Sequence, residues 1–301
     1  MYRQWLVGAV LLWQALAAIA QSDPATVTIQ TTQVRPGLWM LVGEGGNIGV
    51  SAGADGVFVI DDQYAPLSPK NLAAIRALSD RPLRFVLNTH WHGDHTGGNA
   101  NFAAAGAVIV AQANARERLA RGQFIGFLQK QFEAAPPAAL PVLTFSDAMN
   151  FYLNGQDVHV FHAPAAHTDG DSMVHFPGLN AIHMGDTWFA GMYPFIDGSS
   201  GGSVAGVLAA MDRGLALAND ETRIIPGHGP LGGRKELTAS RAMIATVSGR
   251  IRAQLAKGVV HDAIVASKPT AEFDQAFGGG FITPDKWVEM LIGLLETAPA
   301  G

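Results

Sequence analysis

Apolar positions along this chain fall into short runs broken by glycine-rich or charged turns, with stretches of helical spacing between the runs. Residues 26–33 and 38–42 read as strands, followed by a glycine-rich loop over 43–49. A buried run at 57–60 ends in Asp61-Asp62. Leu72, Ile75 and Leu78 mark one face of a helix over 69–78. Strands at 84–87 and 107–110 follow, then a helix near 114–119 and an Ala/Pro-rich loop over 132–141. The second half repeats this alternation. Residues 151–153 and 158–161 flank Asn154-Gly155, the signature of a two-residue hairpin. A second hairpin pairs 173–176 with 181–184 around Pro177-Gly178. Helices are expected at 203–218, with Ser203 as N-cap, at 235–257 and at 284–295, with a short strand at 223–225. Two strand-rich halves carrying helices outside them predict an α/β protein, a four-layer αββα sandwich.

The N-terminus changes the picture of where that domain begins. Met1-Tyr2-Arg3 is a short positive segment, residues 5–20 carry no charge, and Ala18-Ile19-Ala20 offers small residues for cleavage. Residues 1–20 therefore read as an export signal, leaving 21–301 as one domain, exported to the periplasm and free of the membrane once the signal is removed. Charged residues make up 15% of the chain and the formal net charge is −5, with no basic cluster. That balance points to a small-molecule substrate and away from nucleic acid. Cysteine is absent. Any metal must then be held by His, Asp, Glu or backbone groups, and thiolate zinc and iron–sulfur sites are excluded.

Five of the ten histidines lie in three strand-end loops. The first loop is His90-Trp91-His92-Gly93-Asp94-His95, the second contains His167, and the third is Pro226-Gly227-His228-Gly229. Asp186 ends a further strand. Side chains two apart in extended chain point the same way, so His90 and His92 can grip one ion. Asp94 and His95 turn through Gly93 toward a second. An open tetrahedral site takes three protein ligands and a water. The count is met by His90, His92 and His167 for one metal, and by Asp94, His95 and His228 for the other, with Asp186 between them. Asp169 and Asp171 compete with Asp186 for that role and fit better as turn residues. His162 competes with His167 but continues a strand. His159, His175, His183 and His261 are read as non-ligands.

This series of motifs, in this order over about residues 28–256, resembles the metallo-β-lactamase superfamily. The resemblance implies a sandwich of two sheets flanked by helices and supports the same ligand set. It implies a metal-dependent hydrolase with two Zn²⁺ per chain, iron or manganese being alternatives. A metal-bridging hydroxide would attack a carbonyl, with Asp94 as the catalytic proton carrier. Asp61 or Asp62 is placed either behind the His loop as a hydrogen-bonding support or simply as a turn cap. A β-lactam is one candidate substrate, with thioesters and lactones as the alternative. An Asp at 186 and Phe189 three positions later depart from the Cys and Lys of one β-lactamase group and resemble the thioesterase and lactonase branches. A mononuclear iron dioxygenase is a third reading, opposed by retention of both ligand sets. Trp188, Phe189, Tyr193 and Phe195 are read either as an apolar substrate wall or as ordinary core packing, and Ser199 and Ser200 either as carboxylate donors or as loop residues.

Overall fold

The computed structural model describes residues 23–297, so the expected export signal lies outside the described residues. The first sheet contains β1 (Gln30–Arg35), β2 (Leu38–Val42), β3 (Ile48–Gly53), β4 (Gly56–Ile60), β5 (Leu83–Asn88) and β6 (Val108–Gln112). After a small hairpin, β7 (Gln123–Ile125) and β8 (Lys130–Phe132), β9 (Leu143–Phe145) joins its edge. The order is β1-β2-β3-β4-β5-β6-β9, antiparallel through β4 and parallel from β4 onward. The second sheet runs in chain order through β10 (Ala148–Leu153), β11 (Gln156–Ala163), β12 (Asp171–Phe176), β13 (Ala181–His183), β14 (Arg223–Ile225) and β15 (Gly232–Gly233).

Layering follows from which side chains each strand sends to each face. In β4, Phe58 and Ile60 enter a core shared with Val160, Val174 and Phe176 of the second sheet. The alternate residues Val57 and Val59 pack instead against Ile75 of α1 (Ser68–Leu78) and Phe102 of α2 (Asn99–Ala104). With both faces buried, β4 reads as a continuous apolar run rather than an alternating one. On the far side, Phe161, Met173 and Ile182 meet α3 (Val204–Leu217), α4 (Arg234–Leu255) and α5 (Pro284–Thr297) through Met211, Ile244 and Leu291. The result is the α/β/β/α order expected from the pattern.

Most expected elements sit within a few residues of their predicted limits. Asn154 and Gly155 take φ of 57° and 69°, the paired left-handed residues of a type I′ turn. Ser203 caps α3 by accepting a hydrogen bond from Gly206 N at 2.9 Å. The pattern misses the β7–β8 hairpin and places the first strand too early, since β1 starts at Gln30. Among the described residues no helix is long and apolar enough to cross a membrane.

One strand histidine serves the fold. His183 is fully buried, accepting from Gly185 N at 3.2 Å through Nδ1 and donating from Nε2 to Asn47 O at 3.3 Å. Both nitrogens are committed to the neutral form, and burial pushes the pKa down to about 4. A folded pKa below the unfolded value stabilises the protein above about pH 6.5, and that stability is lost as pH falls toward 4. We expect metal-free protein to lose about 3 kcal/mol over this window from His183 alone. The pH slope of denaturant unfolding should be shallower by about one proton in His183→Asn, and equal slopes would contradict the assignment.

Candidate metal centre

The strands of both sheets end at one rim of the sandwich, and the polar loops collect there. Parallel β4 and β5 deliver Asp61 and the loop His90–His95. Parallel β13 and β14 deliver Asp186 and His228, and the β11–β12 connection supplies His167. The loops are stitched across the sheets. Asn47 N donates to Gly227 O at 2.7 Å, its side chain donates to Pro226 O and Gly229 O, and Ser172 N donates to Thr89 O at 2.7 Å.

Two clusters of ligating atoms form. His90, His92, His167 and Asp186 make the first; Asp94, His95 and His228 make the second, each with its ligand atoms within 4.8 Å of one another. His167 Nε2 lies 2.9 Å from His92 Nδ1, and His95 Nε2 lies 3.2 Å from His228 Nε2. Two ligands of a tetrahedral zinc are about 3.3 Å apart when Zn–N is about 2.0–2.1 Å. Asp186 reaches both clusters. Its Oδ1 is 3.1 Å from His95 Nε2, and its Oδ2 is 3.4 Å from His228 Nε2, 3.5 Å from His167 Nε2 and 3.8 Å from His90 Nε2.

The histidines are oriented from behind. His95 Nδ1 donates to Asp61 Oδ2 at 2.8 Å, and His90 Nδ1 donates to Thr89 Oγ1 at 3.0 Å, whose own hydrogen goes to Asp61 Oδ2. His92 Nε2 donates to Asp197 Oδ2 at 3.1 Å, and His167 Nδ1 donates to Phe195 O at 2.9 Å. Each ring therefore turns its other nitrogen inward, as a metal ligand must. His90 Nε2 and Asp186 Oδ1 are buried without a hydrogen-bond partner, the latter 3.1 Å from His95 Nε2. Orphaned buried atoms amid converging nitrogens fit cations, since each would otherwise cost about 1–3 kcal/mol.

Electrostatics separate the two clusters. Burial holds His90 well below the usual imidazole range and takes His167 down to about 4, so both are neutral ligands at pH 7. Burial also works against charge on His228 and His95. Asp186 and Asp94 outweigh it, lifting His228 to about 9 and His95 well up. Burial likewise opposes charge on Asp94 and Asp186, but His95 and His228 outweigh it and hold both carboxyls low. Asp94, His95 and His228 would hold a cation only with those protons released, so its binding there would be pH-dependent.

Two glycines are dictated by close approach. A Cβ on Gly46 would lie 2.1 Å from His95 Cε1, and one on Gly227 would lie 1.9 Å from Asp186 Oδ1. Other loop residues have structural roles. Asp171 accepts from Thr168 N at 2.8 Å and Oγ1 at 2.5 Å, Asp169 pairs with Arg118 at 2.7 Å, and His162 Nε2 donates to Asp169 O at 2.8 Å. These hold the His167 turn and lie outside both ligand clusters.

The expected substrate wall needs correction. Trp188 is fully buried and donates from Nε1 to Ser240 Oγ at 3.0 Å, because its ring packs among the second sheet's helices. Tyr193 is fully buried, stacked on Trp287 at 4.4 Å, with its hydroxyl donating to Asp274 Oδ1 at 2.7 Å. Ser200 is buried and accepts from Trp91 Nε1 at 3.2 Å, leaving it unavailable to a substrate carboxylate. Ser199 donates to Asp197 Oδ1 at 2.5 Å and accepts from Gly126 N at 3.2 Å, a link between the β7–β8 hairpin and the His92 support. Phe189 and Phe195 lie beside the ligands, Phe189 stacked on His228 with centroids 5.0 Å apart at 18°, but both are buried, so they pack behind the centre rather than lining an open wall. Asp197, Thr89 and Asn47 were not singled out from the sequence. The available signal for Asp197 was its Asp-Gly-Ser-Ser turn pattern.

Comparison with known proteins agrees with this centre. The sequence profile described as "Metallo-beta-lactamase superfamily" matches residues 41–228. The chain belongs to the metallo-β-lactamase superfamily. It is 28% identical over 144 residues to the 2,4-dinitroanisole O-demethylase subunit alpha of Nocardioides sp. (strain JS1661), covering 46% of this chain and 40% of that protein. The chain thus spans less than half the length of this curated relative. Among solved structures it resembles a metallo-beta-lactamase from Pontibacter korlensis, with TM-score 0.60 and 17% identity over 72% of this chain and 99% of that one. It also resembles the stereoselective inverting sec-alkylsulfatase Pisa1 from Pseudomonas sp., with TM-score 0.65 and 16% identity over 88% and 50%. At such identities these likenesses establish the superfamily's fold, within which the His/Asp clusters form a two-metal site for metal-dependent hydrolase chemistry.

Proposed function

We propose that this protein is a zinc hydrolase that cleaves an ester, lactone or thioester. The observation that carries this reading is the reach of Asp186 into both ligand clusters, which makes them one binuclear centre. Bound there, two cations supply a water of lowered pKa and polarise a carbonyl oxygen. The chain's own residues do the rest. Asp94 and His228 are the most open ligands, with side chains 22% and 19% exposed, so substrate approaches over them. The Asp94 carboxylate orients the attacking water and carries its proton toward the leaving atom. Asp61 and Asp197 keep the histidines from turning.

Phe189 supports the choice of a neutral carbonyl compound over a β-lactam: a buried apolar ring stacked on His228 supplies no cation at this position for a substrate carboxylate. Two full ligand sets disfavour a mononuclear iron dioxygenase, which keeps open positions on one metal. The charge-free segment before Asp23 supports export to the periplasm.

A panel of a p-nitrophenyl ester, a lactone, an acyl thioester and a chromogenic cephalosporin tests the proposal on zinc-loaded protein. We expect ester-type turnover to exceed cephalosporin turnover, to vanish with chelator and to return with zinc. Asp94→Ala should lower it by about 10²–10⁴-fold. Preferential cephalosporin cleavage would favour a β-lactamase, and full turnover in Asp94→Ala would remove its proton role.

A further inference from the structure

The histidines of the centre are supported from two separate parts of the chain. Asp61 holds His95 directly and His90 through Thr89. His92 and His167 are held instead by the short segment 195–200. Phe195 O accepts from His167 Nδ1, Asp197 Oδ2 accepts from His92 Nε2, and Asp197 N donates to His167 O at 2.9 Å. Both rings so held belong to the first cluster, and none of the second cluster's ligands touches Asp197.

An aspartate at such a turn ordinarily serves only the turn. Asp197 does that with one oxygen: Oδ1 accepts from Ser199 Oγ at 2.5 Å and from Ser200 N at 3.2 Å. The other oxygen is left over for His92, and Asp197 is only 1% exposed. Ser199 carries the line outward. Its hydrogen goes to Asp197, and its oxygen accepts from Gly126 N of the β7–β8 hairpin at 3.2 Å. The hairpin bears on the same support twice more. Phe127 packs 5.4 Å from Phe195, and Phe132 lies 5.9 Å from Trp91, whose Nε1 donates to Ser200. Gly126, Ser199, Asp197 and His92 thus form one chain of hydrogen bonds from the hairpin to a ligand, and bonds in such chains strengthen one another. Ser199 itself is exposed, so its hydroxyl can be removed without opening a cavity.

We propose that Ser199 is a positioning residue: acting through Asp197, it aims His92 at the first cation and ties the affinity of that site, but not of the second, to the docking of the β7–β8 hairpin. This rests on the two-metal part of the reading above and not on its ester substrate. Without the Ser199 hydroxyl, Asp197 Oδ1 keeps Ser200 N alone, and the carboxylate that fixes His92 is freer to turn. A support in direct contact with a ligand is worth about 10–100-fold in metal affinity. Ser199 stands one bond further out, so its loss should cost about three- to tenfold. The coupling is reciprocal: a cation in the first cluster must also tighten the Gly126–Ser199 bond.

The test reads zinc binding site by site, by competition with a chromophoric chelator. His228→Ala disables the second cluster and His90→Ala the first. In the His228→Ala chain, adding Ser199→Ala should weaken zinc binding by about three- to tenfold, and adding Ser199→Thr, which keeps the hydroxyl, should change it by less than about twofold. In the His90→Ala chain, adding Ser199→Ala should change zinc binding by less than about twofold. A second measurement removes no ligand and so holds even where a single-site chain fails to fold. In the wild-type chain, zinc should slow hydrogen exchange of the Gly126 amide, read by NMR, by at least about threefold, and in Ser199→Ala it should not. Equal losses in the two single-site chains, an unchanged affinity on adding Ser199→Ala to His228→Ala, or Gly126 exchange indifferent to zinc in wild type would each overturn the inference. A loss confined to the first site in protein that hydrolyses no ester would count against the hydrolase reading alone.

Discussion

Asp186→Ala is expected to abolish turnover, by at least about 10³-fold, because it removes the one carboxylate that reaches both clusters. Metals contribute several kcal/mol to the transition state of a hydrolysis, and each 1.36 kcal/mol is tenfold in rate. The loss should be accompanied by weaker binding of both cations, since His90 and His167 lose Asp186 on one side as His95 and His228 lose it on the other. Asp186 also lifts the pKa of His95 and His228, so in metal-free Asp186→Ala those rings should titrate lower than in wild type. Kinetics, metal analysis and histidine NMR titration check the three effects. Retention of one tightly held cation with substantial turnover would show that the clusters work independently.

Asp61→Ala is expected to damage both the centre and the fold without removing a ligand. Fully buried Asp61 accepts from Thr89 N at 2.7 Å, Thr89 Oγ1 at 2.7 Å and His95 Nδ1 at 2.8 Å. Alanine leaves these donors orphaned. It also places a side chain with no local hydrogen bond at φ 62°, a left-handed conformation in which Asp and Asn are enriched. The expected costs are about 3–5 kcal/mol of unfolding free energy and about 10–100-fold in zinc affinity. Asp61→Asn keeps an acceptor and the backbone preference and should fall between Ala and wild type. Denaturant unfolding and competition with a chromophoric chelator read the two quantities. Wild-type values in Asp61→Ala would mean that His95 is oriented by something other than this carboxylate.

The layers and ligands were legible for different reasons. Strand runs such as 57–60 announce themselves because burial on two faces leaves no polar positions. Asn154-Gly155 specifies its turn through backbone preference alone. The ligands stand out because His90, His92, Asp94 and His95 crowd into one loop, and the structure brings His167, Asp186 and His228 to them. Long-range partners leave no such local trace. Asp197 meets His92 from 105 residues away, and Asn47 reaches Pro226 across 179. Asp61 was placed either behind the His loop or in a turn, and only the packing of β4 beside β5 selects the support.

The substrate wall was read less well because an aromatic side chain has the same local pattern in a core as in a pocket. Trp188 and Tyr193 lie near Asp186 in sequence, but their polar atoms find partners in Ser240 and Asp274 and their rings turn inward.

Metal analysis of the purified protein, loaded with zinc and freed of excess by dialysis, tests the binuclear centre most directly. Two zinc ions per chain, lost in chelator together with ester hydrolysis and restored together, is the predicted result. One tightly bound iron per chain, with oxygen consumed during turnover, would contradict it.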